Sequence, residues 1–506
     1  MRNLRQNKML LFVWLLTFAF SCILCFVRLY QHYVFQTNCF DLGLEASVAW
    51  NTAHGRLFYD SLRDINYLAD HFSPVYILFV PFVKLFDPAQ TLLVIQSLIL
   101  SASFPAAYLL ANRLTHSKVL SLSTAFFLIA NPLFHHVSRS DFHPEALAIA
   151  LLLWLFYFME TRRWYLFGIC LAICLCLKEN IPIAMIALGT YAVFKKRSCI
   201  VGLILILSGA AAFYLENAYI MPYFSKGWVN YHWYHRYSHL GPTFKDAIKN
   251  ILLNPSLFLK PFLLDWTRAK TLYRIVLNTG FLCLLSPTAL LALLIVLLQH
   301  LLSNFTPQLV LSHHYSSTIL PFMALAASNG IRNARLILRK IGIQQNTQKK
   351  LLMAVILCVI AWMMHNWPGY ITHYDREKVL SAHNILKEIP PDASVAAPSE
   401  FVPHLTARRE IKFLFLMPPE IIEKMEFVVL DISNTKPHPM TEVSEWKKYM
   451  RWLLIDSSFG VFMRDGNIIL MKKSYDKKAN FELWDLLQAT DIAATSGSLP
   501  IGRHLL

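Results

Sequence analysis

The chain has 506 residues, of which 56% are hydrophobic and only 15% charged. A soluble protein carries about a quarter charged residues, so an ordinary cytosolic globular protein and a disordered chain are both excluded. What remains is a polytopic membrane protein. The 47 Lys and Arg against 31 Asp and Glu leave a net charge of +16, which fits nucleic acid, anionic lipid or membrane topology as its cause.

Arg2, Arg5 and Lys8 precede an apolar run from Met9 to Leu29. The run is long for a signal peptide and no small-residue cleavage site follows. It reads as a first transmembrane helix with the N-terminus cytoplasmic. Further apolar runs span 91–112, 118–134, 144–160, 164–178, 181–194, 199–221, 271–286, 287–303, 314–330 and 351–368, giving about eleven crossings. Pro74–Phe86 is apolar but too short to cross, and reads as re-entrant or juxtamembrane.

Charge tests this topology. The predicted cytoplasmic pieces hold Arg2, Arg5, Lys8, Arg113, Lys118, Arg162, Arg163, Lys195–Arg197, and six more Lys and Arg between Arg332 and Lys350. Against these sixteen basic residues stands one acid, Glu160. The alternation obeys the positive-inside rule if Pro74–Phe86 does not cross. The rest of the chain is nearly neutral, so the excess charge marks topology and gives no reason to expect a nucleic-acid partner. Only one of the 19 His, His116, falls in a predicted cytoplasmic loop. The chemistry-capable residues therefore gather on the outer face, in loops 30–90, 135–143 and 222–270 and the segment His313–Tyr315.

The expected fold is thus a multi-pass α-helical membrane domain over 1–369. A small extracytoplasmic α/β domain follows over 370–506. In the latter, Arg376–Ile389 reads as a helix stopped by Pro390–Pro391, and Phe427–Asp431 as a buried strand. Asp465–Gly466 between Val461–Arg464 and Asn467–Met471 signals a hairpin. Eight of the nine Cys lie in or at the ends of apolar runs, with no metal-ligand spacing. Small apolar filler is their expected role.

Four clusters sit at the outer membrane boundary. Asp41 and Glu45 are four apart and share a helix face; a helix cap with a solvated face is the bland alternative. His71-Phe72-Ser73-Pro74 opens the re-entrant segment, or is simply a turn with Pro at the first helical position. Arg139-Ser140-Asp141-Phe142-His143-Pro144-Glu145 packs four ionisable groups into seven residues. Caps and anchors explain one or two of them, and ionisable groups at membrane depth are functional candidates by default. Lys178-Glu179-Asn180, in a tight apolar hairpin, is either a mutually satisfied ion pair or a grip on an anionic head group. His313-His314-Tyr315 completes the set, with interfacial anchoring as its alternative. Trp228, Tyr231, Trp233, Tyr234, Arg236 and Tyr237, with the histidines among them, form an aromatic-basic loop. It is either an interfacial belt or a lid facing lipid or sugar.

The ordered motifs FDLGL (40–44), HFSP (71–74), DFHPE (141–145), KEN (178–180) and HHYSS (313–317) resemble the bacterial predicted membrane protein family called domain of unknown function 2079. So does VAAPSEFVPHLTARREIKFL (395–414), and the resemblance covers nearly the whole chain. That family is similar in layout to the C-type glycosyltransferases, integral membrane enzymes that use polyprenyl-phosphate sugar donors. The resemblance implies a bacterial inner-membrane protein acting in the cell envelope. It implies Asp41 as the acid of the first outer loop and Asp141 as that of the second, both catalytic candidates. Where such families often show Gln this chain has Glu45, so no role carries over to it. Such a reaction needs a carboxylate base for the acceptor hydroxyl, for which Asp41 is the candidate. It also needs cations for the leaving phosphate, for which Arg139 and Lys178 are candidates. His71, His143, Glu145, Glu179, His313, His314 and Tyr315 are expected to bind substrate. His71 and His143 could alternatively join Asp141 and Glu145 around a divalent metal, for which no motif is clear. A membrane transporter or lipid flippase, or a non-catalytic envelope assembly protein, are the rival readings.

Overall fold

A computed structural model of the chain describes residues 2–195, 199–225, 232–254, 256, 260, 264–365, 373–440 and 442–495. They divide into two compact units. One comprises Met1–Tyr30, Ile65–Phe82 and Gln90–Ile371; the other comprises Gln31–Asp64, Val83–Ala89 and Thr372–Leu506.

The first unit is helical. Five helices are long and apolar enough to cross a membrane: Lys8–Tyr33, Pro88–Thr115, Pro144–Thr161, Cys199–Phe224 and Gln345–His365. Lys118–Ile129 and Pro132–Arg139 make a sixth if the pair, bent by 51°, is one span. Trp164–Leu175, Ile181–Phe194 and Pro287–Leu301 are apolar but shorter. The described residues therefore give five or six full-length spans where the apolar runs suggested eleven crossings.

Proline and polar caps shift the boundaries of these elements. Asn131 accepts a hydrogen bond from Leu133 N at 3.0 Å, and Pro132 has no N–H to continue the preceding helix. The chain turns there and stays helical to Arg139, so the expected loop at 135–143 begins only at Ser140. Likewise Ile319–Lys340 is one helix, and Arg332, Arg335, Arg339 and Lys340 lie on its last turns rather than in a loop. Pro74–Phe79 and Val80–Val83 form two short helical stretches, neither able to span.

Ile181–Phe194 and Cys199–Leu215 form a close helical hairpin, with glycines at the crossing. A Cβ added at Gly189 would lie 2.5 Å from Gly202 O, and one added at Gly202 would lie 2.7 Å from Gly189 O. Backbone meets backbone, as small residues permit in membrane helix pairs. Gly189→Ile is expected to force the pair apart and cost about 1–3 kcal/mol or more. A lowered thermal stability of the detergent-solubilised protein checks this; an unchanged midpoint would show that the two helices have room to separate. The same hairpin sets the position of Lys178–Asn180, immediately before Ile181.

The second unit contains a five-stranded mixed sheet among its described residues. Its strands are β1 (Val395–Ala397), β2 (Ile411–Phe413), β3 (Phe427–Asp431), β4 (Phe459–Asp465) and β5 (Ile468–Lys473), in the order β2-β1-β3-β5-β4. Val395 pairs in parallel with Ile411 on one side and Phe427 on the other. Strands β3–β5 and β4–β5 are antiparallel. The expected hairpin is present, with Gly466 at φ +58° in its two-residue turn. Helix Arg376–Leu386 starts from Asp375, whose side chain accepts from Glu377 N and Lys378 N. Leu414, Ile422, Val428, Trp446, Leu454, Phe459, Ile469 and Met471 make the core between sheet and helices.

Candidate functional site

The site begins with how one loop of the helical unit is held. The DFHPE segment leaves its helix at Arg139 and runs extended to His143, where φ is −146° and ψ 129°. Pro144 then opens the next helical stretch, since its missing N–H costs nothing at a first position. Two side chains pin this loop. Arg28, buried near the end of the first helix, donates to Arg139 O at 2.6 Å and to Asp141 Oδ1 at 2.8 Å. Gln96 donates to Ser140 O at 3.2 Å and accepts from His143 N at 2.9 Å.

The KEN segment is held by the HFSP segment. Ser73 Oγ donates to Leu177 O at 2.7 Å, and Val75 N to Cys176 O at 3.0 Å. Glu179 receives both Phe72 N, at 3.1 Å, and the His71 ring, with Nδ1 at 3.0 Å. Burial pushes the Glu179 carboxyl up, but His71 and Lys178 outweigh it and bring it down to about 2, so Glu179 is a carboxylate.

Lys178 Nζ donates to Glu145 Oε2 at 3.2 Å and Asn180 Nδ2 to Glu145 Oε1 at 2.7 Å. Burial works against the Lys178 charge, yet Glu145 and Glu179 hold the ammonium above its ordinary value. Over this pair stack two imidazoles, His143 and His314, with centroids 3.7 Å apart and planes 26° apart. Burial above all pushes both rings well below their usual range, with Lys178 and His71 adding to it at each, so they are neutral near pH 7. Trp233 stacks on His71, 5.4 Å away and 2° from coplanar, and donates from Nε1 to Asp70 Oδ1 at 3.0 Å.

Six of the expected residues therefore form one buried cluster: His71, His143, Glu145, Lys178, Glu179 and His314. Tyr315 lies at its edge, its ring 4.3 Å from His314 and its hydroxyl 3.5 Å from Arg236 Nη1. His313, next in sequence to His314, is exposed, because adjacent residues of a helical turn face different ways. Arg139 contributes its carbonyl to the loop, and Asp141 is ion-paired with Arg28. Asp41 and Glu45 belong to the second unit. There Asp41 is half-buried in the turn Cys39–Gly43, and Glu45 is buried on helix Leu44–Ala53.

Sequence reasoning missed Arg28, Gln96 and Asp70, and quoted Asn180 and Trp233 without assigning them to the site. Arg28 carried a usable signal, a lone cation inside an apolar run, which is a functional candidate by default. The aromatic-basic loop supplies Trp233 to the cluster, and Arg236 lies 4.2 Å from the Trp233 ring and 4.4 Å from that of Phe305. Trp228 and Tyr231 of that loop lie outside the described residues.

Chemically, the cluster offers a fixed ammonium, two carboxylates and two neutral imidazoles under an aromatic cover. The ammonium suits an anionic oxygen. The imidazoles suit proton transfer or a metal.

Known proteins bear on the chain in three ways. No curated protein matches it. Among the similar solved structures are two crystal structures of ArnT from Cupriavidus metallidurans. The one bound to undecaprenyl phosphate is 11% identical, with a TM-score of 0.49, and the match covers 90% of this chain and 97% of that one. The apo structure is 12% identical, with a TM-score of 0.46 and the same coverage. The family described as predicted membrane protein (DUF2079) matches residues 31–470, most of the length, and the chain belongs to that family.

Proposed function

We propose that the protein is an integral membrane glycosyltransferase of the bacterial inner membrane. It moves a sugar from a polyprenyl-phosphate donor to an acceptor outside the cytoplasm. The observation that carries this reading is the convergence of HFSP, DFHPE, KEN and HHYSS on one buried cluster around the Lys178 ammonium. A structural ion pair alone needs two side chains, whereas this cluster draws ionisable residues from four separated segments.

In this reading the acceptor hydroxyl attacks the anomeric carbon. The bond from that carbon to the phosphate oxygen breaks, and its electron pair stays on the phosphate. The Lys178 ammonium stabilises the charge that develops there. The hydroxyl proton passes to Asp41, a role that rests on its place in the motif order. Arg28 replaces Arg139 as the guanidinium of the second loop, and its task is to hold that loop. The basic residues of the predicted cytoplasmic pieces support an N-terminus in the cytoplasm and a C-terminal domain outside. The three shorter apolar helices add to the five or six long ones in this topology.

The test is transfer of sugar from a polyprenyl-phosphate donor in membranes carrying the full chain. Asp41→Asn is expected to lower the rate by about 10²- to 10⁴-fold with insertion unchanged. Full transfer by the variant would remove Asp41 from the base role. Movement of the lipid across vesicles without transfer would establish the transporter reading instead.

A further inference from the structure

Of the four residues that the sequence offered to a metal, His71 and Asp141 are already engaged, His71 with Glu179 and Asp141 with Arg28. The other two, His143 and Glu145, form a triad with His314. His143, Glu145 and His314 are all buried, and one ligand atom from each lies within 4.8 Å of the other two. Two observations single it out. His143 Nδ1 and His314 Nε2 are buried nitrogens with no hydrogen-bond partner among the described residues. A buried polar atom left unmet costs about 1–3 kcal/mol, so two unmet nitrogens on stacked rings call for an absent partner. Moreover Glu145 is already oriented, with Asn180 on one oxygen and Lys178 on the other. Each oxygen keeps a second lone pair, and outer partners of this kind fix the ligands of metal sites.

We propose that His143, Glu145 and His314 bind one divalent transition-metal ion, with zinc the best match. Two imidazoles and one carboxylate are a set that zinc takes when a fourth position stays open for water or substrate. Bonds of about 2.0–2.2 Å require the three side chains to draw together when the ion binds. A divalent ion here, with the Lys178 ammonium beside Glu145, suits an anionic fourth ligand. The inference concerns the same cluster as the proposed reaction but does not depend on sugar transfer.

The test uses the full chain in detergent, stripped with a chelator and titrated with Zn2+ alone against a chromogenic chelator. One tight equivalent per chain is expected. His143→Asn and His314→Asn should each weaken it by more than the roughly ten- to hundred-fold that loss of an outer partner costs. Co2+ in the wild-type protein should give the visible absorption of a four-coordinate nitrogen and oxygen site, a readout that needs no variant to fold. Absence of a tight equivalent in the wild type overturns the proposal. So does retention of that equivalent, at wild-type affinity, in both variants. Zinc binding without sugar transfer would overturn the enzymatic reading alone, and transfer without zinc binding would overturn only the metal site.

Discussion

Lys178→Met lowers sugar transfer by about 10²- to 10³-fold in the proposed reaction, the range for removing a preorganised group that meets developing negative charge. Methionine keeps the unbranched apolar stem, so the substitution removes little besides the ammonium. It also strips Glu145 of its cation, and breaking a buried pair from one side costs about 3–5 kcal/mol. The two effects are separable. Lys178→Met with Glu145→Gln restores a neutral, hydrogen-bonding partner for Asn180 and should recover much of the lost stability. Transfer should stay low, because the double variant still lacks a cation for the phosphate. Thermal stability and transfer rate, measured on the same preparations, decide the matter. If transfer returns together with stability, Lys178 is a structural ion-pair partner and not the cation of the reaction.

Much of this cluster was legible because the residues break their own surroundings. Lys178, Glu179, His143 and Glu145 are ionisable groups at the ends of apolar runs, and Pro144 and Pro182 mark where helices start. Composition was enough to place them at a boundary. It was not enough to say which of His313 and His314 turns inward, since that depends on the phase of one short turn. Arg28 was hidden for the opposite reason. One charge in a long apolar run hardly changes a window average, and its partner Asp141 lies 113 residues away. A break inside an apolar run was not legible either. Residues 118–134 read as one largely apolar run, yet Asn131 and Pro132 end one helix and begin another. In the second unit the hairpin followed from local turn chemistry and the FVVLD strand from its short apolar run. The parallel pairing of β1 with β2 and β3 is a long-range choice that no local pattern specifies.

Arg28→Met tests whether the second outer loop is held from the first helix. Arg28 and Asp141 are both buried, with side chains 3% and 6% exposed, so solvent screens the pair little and its loss from one side should cost about 3–5 kcal/mol. The guanidinium also holds the Arg139 carbonyl, so its fork fixes two points of the loop that ends at His143. Arg28→Lys keeps the charge but not the fork, and should lie between wild type and Arg28→Met. Adding Asp141→Asn to Arg28→Met removes the buried charge left behind and should recover part of the stability. The double-mutant cycle then gives a coupling energy at the upper end of about 0.5–3 kcal/mol. Additive losses would mean that Asp141 and Arg28 act independently, and Asp141 would then be free for the catalytic role that the motif order implies. Strong coupling makes Asp141 a positioning residue whose effect reaches the cluster through His143. Asp141→Asn would then impair transfer and weaken zinc binding together, whereas loss of a purely catalytic carboxylate leaves zinc binding unchanged.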